Sequence, residues 1–179
     1  ANTLEARLLE LARVSETNGE LTRQFLTHEH RQAIDLVSSW MRGAGLDVQL
    51  DAAANLVGRL QGTKPELPAL VLGSHIDTVR NGGLYDGALG IVLPILCLQE
   101  LAAQGWRPTR PVEVVAFGDE EGTRFQSTYL GSRAMSGTLD LGLLDVADRD
   151  GITMRQAFEA FGNDPGSLAG AARARADVA

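Results

Sequence analysis

Two short apolar runs on either side of a long apolar helix constrain this chain more than any other feature of its sequence. The first run is Ala69-Leu-Val-Leu-Gly73, and the second is Pro111-Val-Glu-Val-Val-Ala-Phe117. Short apolar runs of this kind are typical of strands that are buried in a sheet. The segment between them predicts a helix from Asp86 to Gln104, with Pro94 early in it and Gly105 at its end. Strand, helix and strand make a βαβ unit, which predicts two parallel strands.

The segments before and after this unit are predicted to complete one layered α/β domain. Apolar residues at helical spacing predict helices from about Thr3 to Val14 and from about His28 to Met41. Alternating residues predict strands over Leu46–Asp51 and Asn55–Leu60, which pair as a hairpin. Beyond Ser132 the chain is predicted to be helical and looser. We therefore predict a three-layer αβα domain with a mixed but largely parallel sheet.

The composition of the chain argues against nucleic acids and membranes as binding partners. The chain has 179 residues and a net charge of −7, whereas a nucleic-acid surface needs clustered Lys and Arg. No segment has the length and apolarity of a membrane span, and the first residues lack a signal-peptide profile. We therefore expect a cytoplasmic protein that binds neither nucleic acid nor membrane. Cys97 lies in an apolar run, so we expect it to be a buried free thiol.

Acidic motifs follow both apolar runs. His75 and Asp77 come directly after the first run, and Glu120 and Glu121 come after the second. Asp86 stands between them, at the start of the predicted helix. In open α/β sheets, ligands bind beyond the carboxyl ends of the strands. If the two strands are neighbours, these side chains converge on one edge of the sheet.

Four carboxylates and an imidazole in one cleft need a counter-charge, because like charges in contact raise the pKa values of the carboxyl groups. Arg80 and Arg124 are the nearby basic residues, although a single loop arginine is more often structural. One or two divalent cations resolve the conflict more economically, and zinc suits this donor set, with manganese or cobalt as competitors. A solvated surface loop is the competing interpretation of each motif alone. Their combination, each flanked by glycine, favours the metal site.

Each residue of the constellation then has a role that spacing permits. His75 binds one metal ion, Asp86 bridges both ions, and Glu121 binds the other. Asp77 is predicted to orient the imidazole as a supporting carboxylate. Glu120 is predicted to be the general base that takes a proton from the activated water. No residue is predicted to bind an organic cofactor.

The motifs also resemble those of a known family. Gly73-Ser-His-Ile-Asp-Thr-Val, Tyr85-Asp-Gly-Ala-Leu-Gly, Asp119-Glu-Glu-Gly-Thr-Arg-Phe and Leu130-Gly-Ser-Arg closely resemble those of the dinuclear zinc amidohydrolases. The resemblance is to the branch of allantoate amidohydrolase, N-carbamoyl-L-amino-acid hydrolase and β-ureidopropionase. It implies a zinc-exopeptidase-like catalytic domain and the same roles for the five residues.

The resemblance further implies parts that this sequence does not contain. Family members are longer and take two more histidine ligands from later in the chain, one of them in a His-Ile-Glu-Gln-like segment. Here the histidines are His28, His30 and His75, and we expect the first two to lie on the surface. We therefore expect residues 1–179 to be the N-terminal part of the catalytic domain, without its C-terminal part and without the second domain that mediates dimerisation.

The expected function is hydrolysis of ureido C–N bonds in linear amides, with allantoate or an N-carbamoyl-L-amino acid as the substrate. The full-length protein is expected to be a homodimer, and this chain alone to be inactive. Two alternatives stay open: a zinc aminoacylase or peptidase of the same superfamily, and a folded but catalytically incomplete fragment.

Overall fold

Four strands form one mixed sheet in the computed structural model, which describes residues 3–178. The strands lie in the order β1-β2-β4-β3, and their bounds are Asp47–Leu50 for β1, Leu56–Leu60 for β2, Leu70–His75 for β3 and Val112–Phe117 for β4. β1 and β2 are antiparallel, as are β2 and β4, whereas β3 and β4 are parallel. The predicted hairpin, the parallel βαβ pair and the mixed α/β sheet are confirmed, and among the four strands within residues 3–178 the parallel pair is β3 with β4.

Helices cover both faces of the sheet. Their bounds are Thr3–Ala12 for α1, His28–Gly43 for α2, Ala88–Ala103 for α3, Leu130–Met135 for α4 and Met154–Phe161 for α5, and short 3-10 helices span Leu141–Asp145, Pro165–Ala171 and Arg175–Asp177. Val112, Val114 and Ala116 of β4 pack with α1, α2 and α3 on one face. Val115 packs against Met135 of α4 on the other. Because successive side chains of a strand point to opposite faces, β4 packs against helices on both sides and the fold has three layers.

β3 is less buried than its sequence predicts. Leu70 is 42% exposed, because β3 is one of the two edge strands of the sheet within residues 3–178. At its start, Ala69 forms an isolated parallel bridge with Val178. The prediction of a strand is correct here, and the prediction that this strand is buried is wrong.

The exposure of Cys97 also corrects a prediction. Ile91, Ile95 and Leu98 face the sheet at helical spacing, so Leu93 and Cys97 point away from it and are exposed. Because α3 is apolar on every side, its sequence does not show which side meets the sheet. None of the helices between residues 3 and 178 is long and apolar enough to cross a membrane.

His30 is buried, although a surface position was predicted for it. Its ring lies between Phe25 and Phe161, with centroid separations of 5.4 and 5.6 Å. Nδ1 accepts a hydrogen bond of 3.3 Å from the backbone N–H of Leu26. Burial, with the charges of Arg23 and Arg31, lowers the pKa of His30 to about 3. His30 is therefore a neutral core residue, whereas His28 is exposed as predicted.

Candidate metal centre

The parallel register brings the acidic motifs to one edge of the sheet. His75, the last residue of β3, pairs with Phe117, the last residue of β4. The chain therefore leaves both strands at the same level, and Asp77, Glu120 and Glu121 follow within a few residues. α3 begins beside them at Ala88.

The imidazole of His75 is held in one orientation. Its Nδ1 lies 2.9 Å from the backbone carbonyl oxygen of Asp77. A carbonyl only accepts hydrogen bonds, so Nδ1 carries the proton and Nε2 presents a lone pair. Gly87, at φ +63°, packs against the other side of the ring, where an added Cβ would lie 2.4–2.6 Å from three ring atoms. The ring thus has a fixed tautomer and little room to turn.

Carboxylate oxygens surround the free nitrogen of this ring. Nε2 of His75 lies 3.6 Å from Oε2 of Glu120 and 3.8 Å from Oδ1 of Asp86. Within residues 3–178, ligand atoms of His75, Glu120 and Glu121 all lie within 4.8 Å of one another. Asp86 is outside that group, and its side chain is 57% exposed. The structure thus brings together the predicted site residues, with Glu120 as near to the imidazole as the predicted ligand Asp86.

This donor set fits a divalent cation. A neutral imidazole lone pair and two carboxylate oxygens facing one another repel unless positive charge lies between them. Two ligands at about 2.1 Å from a tetrahedral zinc ion are about 3.4 Å apart, which is close to the separations observed here. Partial burial raises the pKa of Glu121, and the neighbouring Asp86 and Glu120 raise it further. A cation would remove this conflict.

Asp77 connects the two strand ends. Its Oδ2 accepts a hydrogen bond of 3.2 Å from the backbone N–H of Glu121. Its Oδ1 lies 3.9 Å from Nδ1 of His75, beyond hydrogen-bond distance. The residue therefore orients the imidazole through its backbone carbonyl and holds the Glu121 loop through its carboxylate. Burial raises the pKa of Asp77, and the hydrogen bond from the backbone N–H of Glu121 opposes this rise.

Asp119 is a buried acid for which the sequence suggested no role. It is 1% exposed, and neither carboxyl oxygen has a hydrogen-bond partner within residues 3–178. Burial and the nearby charge of Asp77 raise its pKa well above the ordinary value. Its backbone is left-handed, with φ +51°, as are Gln126 and Tyr129 in the loop that follows. Backbone strain is therefore concentrated in the loop that carries the glutamate pair.

The comparison with known proteins decides the family. A sequence model described as Peptidase family M28 matches residues 55–160, which is more than half of the chain. The chain belongs to peptidase family M28. The match contains the whole of the site described above.

Proteins similar to this M28 chain are named as an amidohydrolase, a deiminase and an amidase. The N-carbamoyl-L-amino acid amidohydrolase of Geobacillus stearothermophilus is 46% identical over 168 residues, which cover 93% of this chain and 41% of that relative. The probable allantoate deiminase of Oryza sativa subsp. japonica is 44% identical over 174 residues, covering 96% and 34%. A crystal structure of a hydantoinase/carbamoylase family amidase from Burkholderia ambifaria matches with a TM-score of 0.86 and 33% identity, covering 96% and 42%. The M28 chain thus spans about two fifths, or less, of the length of these proteins.

Asn55 fixes the base of the glutamate loop in this M28 chain. Its side-chain oxygen accepts a hydrogen bond of 2.9 Å from the N–H of Gly118, just before Asp119. Its amide nitrogen donates to the carbonyl of Gly131 and to the carboxylate of Asp51, at 3.1 and 2.8 Å. Asn55 is fully buried, and an asparagine within a hairpin gives no sequence signal for such a role. The sequence analysis missed it.

Arg124 is held by structural contacts in the M28 fold. Its Nε donates to Asp148 at 2.9 Å, and its Nη1 donates to the carbonyls of Phe25 and Leu26 at 3.0 Å each. These contacts agree with the structural role that is usual for a single loop arginine. Arg80 is exposed and Arg124 is paired with Asp148, and within residues 3–178 neither arginine forms an ion pair with the four carboxylates of the site.

Proposed function

We propose that this chain is part of a metal-dependent hydrolase of ureido C–N bonds in linear amides, with allantoate or an N-carbamoyl-L-amino acid as the substrate. The observation that carries the proposal is the convergence of the free Nε2 of His75 with the oxygens of Asp86 and Glu120 at the carboxyl edge of the sheet. The names of two relatives support the substrate class: one is named for N-carbamoyl-L-amino acids and the other for allantoate, and both kinds of compound contain ureido groups.

In this proposal His75, Asp86 and Glu121 hold two divalent ions, zinc for preference over manganese or cobalt. When bound, such ions polarise the substrate carbonyl and make water a better nucleophile at neutral pH. Glu120 takes a proton from the attacking water on Oε2 and returns it to the leaving nitrogen as the C–N bond breaks. The carbonyl of Asp77 keeps the proton on Nδ1 of His75, so that Nε2 stays available as a ligand.

A second candidate is a zinc aminoacylase or peptidase, since the matching family model describes peptidases. Ammonia release from allantoate and N-carbamoyl amino acids, set against hydrolysis of N-acyl amino acids and dipeptides, separates the two. A third candidate is a folded but catalytically incomplete fragment, because the chain spans 41% or less of the curated relatives described above. Activity is therefore measured on the longest reading frame that contains this chain. We further propose that this full-length protein is a cytoplasmic homodimer, which light scattering and cell fractionation test.

Two substitutions test the separate roles of the carboxylates. Glu120→Gln should abolish turnover and leave the zinc content nearly unchanged, because the amide still fills the site but cannot move the proton. Asp86→Ala should lose zinc as well as activity. Zinc is counted by mass spectrometry of the purified protein. Equal loss of zinc in both variants would refute this division of roles.

A further inference from the structure

Arg23 is a buried arginine that no motif of the metal centre includes. It lies between α1 and α2 and is 1% exposed. Its Nε donates a hydrogen bond of 2.7 Å to the carbonyl of Ile76, the residue between His75 and Asp77. Its Nη1 donates to the carbonyls of Leu11 and Val14, at 2.9 and 2.6 Å. The guanidinium thus joins the end of α1 to the loop that carries the imidazole.

The backbone of Arg23 holds the same loop a second time. Its carbonyl accepts a hydrogen bond of 2.9 Å from the N–H of Thr78, and its own N–H donates to the hydroxyl of Thr78 at 2.9 Å. Next to this pair, the N–H of Gly82 donates to the carbonyl of Leu21 at 2.7 Å. The two segments therefore run side by side just beyond β3.

Packing alone does not explain a charged side chain at this position. Burial lowers the pKa of Arg23 to about 10, with opposing effects of Asp77 and Glu16, so the group stays protonated at neutral pH. No carboxylate forms an ion pair with it within residues 3–178; carbonyl oxygens accept its hydrogen bonds instead. A buried cation without a paired anion costs more than an apolar side chain of the same size. What the guanidinium provides is directional hydrogen bonding to the Ile76 carbonyl.

We propose that Arg23 is a positioning residue for the metal ligand His75. By holding the Ile76 carbonyl, it sets the direction of the peptide group between Ile76 and Asp77. That peptide in turn places the Asp77 carbonyl against Nδ1 of His75. The importance of the residue for catalysis rests on the proposed function, whereas its effect on the imidazole does not.

The test compares Arg23→Lys, which keeps the charge and loses the planar fork, with Arg31→Lys. Arg31 is the matched control, because its guanidinium also donates to a backbone carbonyl, that of Phe161. The chain contains three histidines, so ring nitrogen signals can be assigned by NMR without metal. Arg23→Lys should shift the ring signals of His75 and leave those of the exposed His28 in place. Arg31→Lys should leave the signals of His75 unchanged.

Zinc affinity is the second measurement, made by competition with a chromophoric chelator. Loss of a group that orients a ligand typically weakens metal binding about 10- to 100-fold, and this loss is expected for Arg23→Lys. Leu8→Ala, a truncation in the buried side of α1, controls for lost stability and should retain the affinity of the wild type.

The outcomes are separable. Unchanged ring signals of His75 in Arg23→Lys overturn the inference, whatever zinc does. If the longest reading frame that contains this chain binds no zinc, the proposed function is contradicted, and the shift of the ring signals still decides the role of Arg23. If Arg23→Lys does not fold, Thr78→Val and Thr78→Ser replace it, because only the serine keeps the hydroxyl that accepts from the N–H of Arg23. Equal ring signals in these two variants then overturn the inference.

Discussion

Gly87 is the position where one added methyl group tests the geometry of the metal centre most directly. Its φ is +63°, and an alanine Cβ would lie 2.4 Å from Cε1 of His75. Carbon atoms in good contact are about 3.5–4.0 Å apart, so the ring or the start of α3 must move by about 1 Å. The backbone at this positive φ adds about 1–2 kcal/mol of strain for a residue with a Cβ. The lost hydrogen bond from Nδ1 adds about 1 kcal/mol.

We therefore expect Gly87→Ala to lower the free energy of unfolding by about 2–3 kcal/mol, the sum of the backbone and hydrogen-bond contributions. Urea denaturation measures this change, and chelator competition measures zinc affinity. Gly45→Ala is the matched control, because Gly45 has φ +82° but no atom within 4 Å of an added Cβ. It should show the backbone cost of about 1–2 kcal/mol alone and keep its zinc affinity.

Comparing Gly87→Ala with Gly45→Ala shows which result would refute this account of His75. If Gly87→Ala is no less stable than Gly45→Ala and binds zinc as tightly as the wild type, the ring of His75 does not need the space that Gly87 leaves. The account of a fixed imidazole would then be wrong. A loss of zinc affinity in both variants would instead attribute the effect to global destabilisation.

The remaining predictions concern buried polar groups. Asn55→Ala should cost about 2–4 kcal/mol in urea denaturation, because it leaves buried backbone groups of the glutamate loop without partners, and Asn55→Asp should recover only the acceptor. Because the pKa of His30 is lower in the folded state than in the unfolded state, the unfolded state protonates this ring first as the pH falls. The free energy of unfolding should therefore decrease from about pH 6.5 towards pH 3, by about 1.4 kcal/mol per pH unit. Thermal unfolding measured over this pH range should lack this decrease in His30→Phe. Glu113 of β4 pairs with Arg59 at 2.7 Å and with Arg173, and the side chains of these arginines are 32% and 21% exposed. Glu113→Gln should therefore cost about 1.5–3 kcal/mol in urea denaturation, and an unchanged stability would contradict a stabilising ion-pair network.

The sequence predicts those parts of the site that follow from local pattern. Apolar runs locate β3 and β4, and glycine-flanked acids directly after them locate His75, Asp77, Glu120 and Glu121. Parallel pairing then brings the two groups together without any knowledge of side-chain contacts. These inferences succeed because each depends on residues that are neighbours in the chain.

The groups that hold the site in place could not be predicted in this way. Arg23 stands in a segment that looks like an ordinary polar loop, and Asn55 stands at the start of a predicted strand; only tertiary contacts bury them. The same reason explains the errors at His30 and Cys97: a polar ring proved to be buried and an apolar-run thiol exposed. Burial of single residues depends on which elements pack together, and periodicity does not contain that information when a helix is apolar on all sides.

The parallel connection between β3 and β4 also has a kinetic consequence. His75 and the glutamate pair are separated in the chain by the whole of α3 and β4, so they meet only when this crossover has closed. Strand pairing and the packing of α3 must close this long loop before an ion can bind His75 and the glutamate pair together. A divalent ion bound at the proposed site would therefore act mainly by slowing unfolding and would leave the rate of folding almost unchanged.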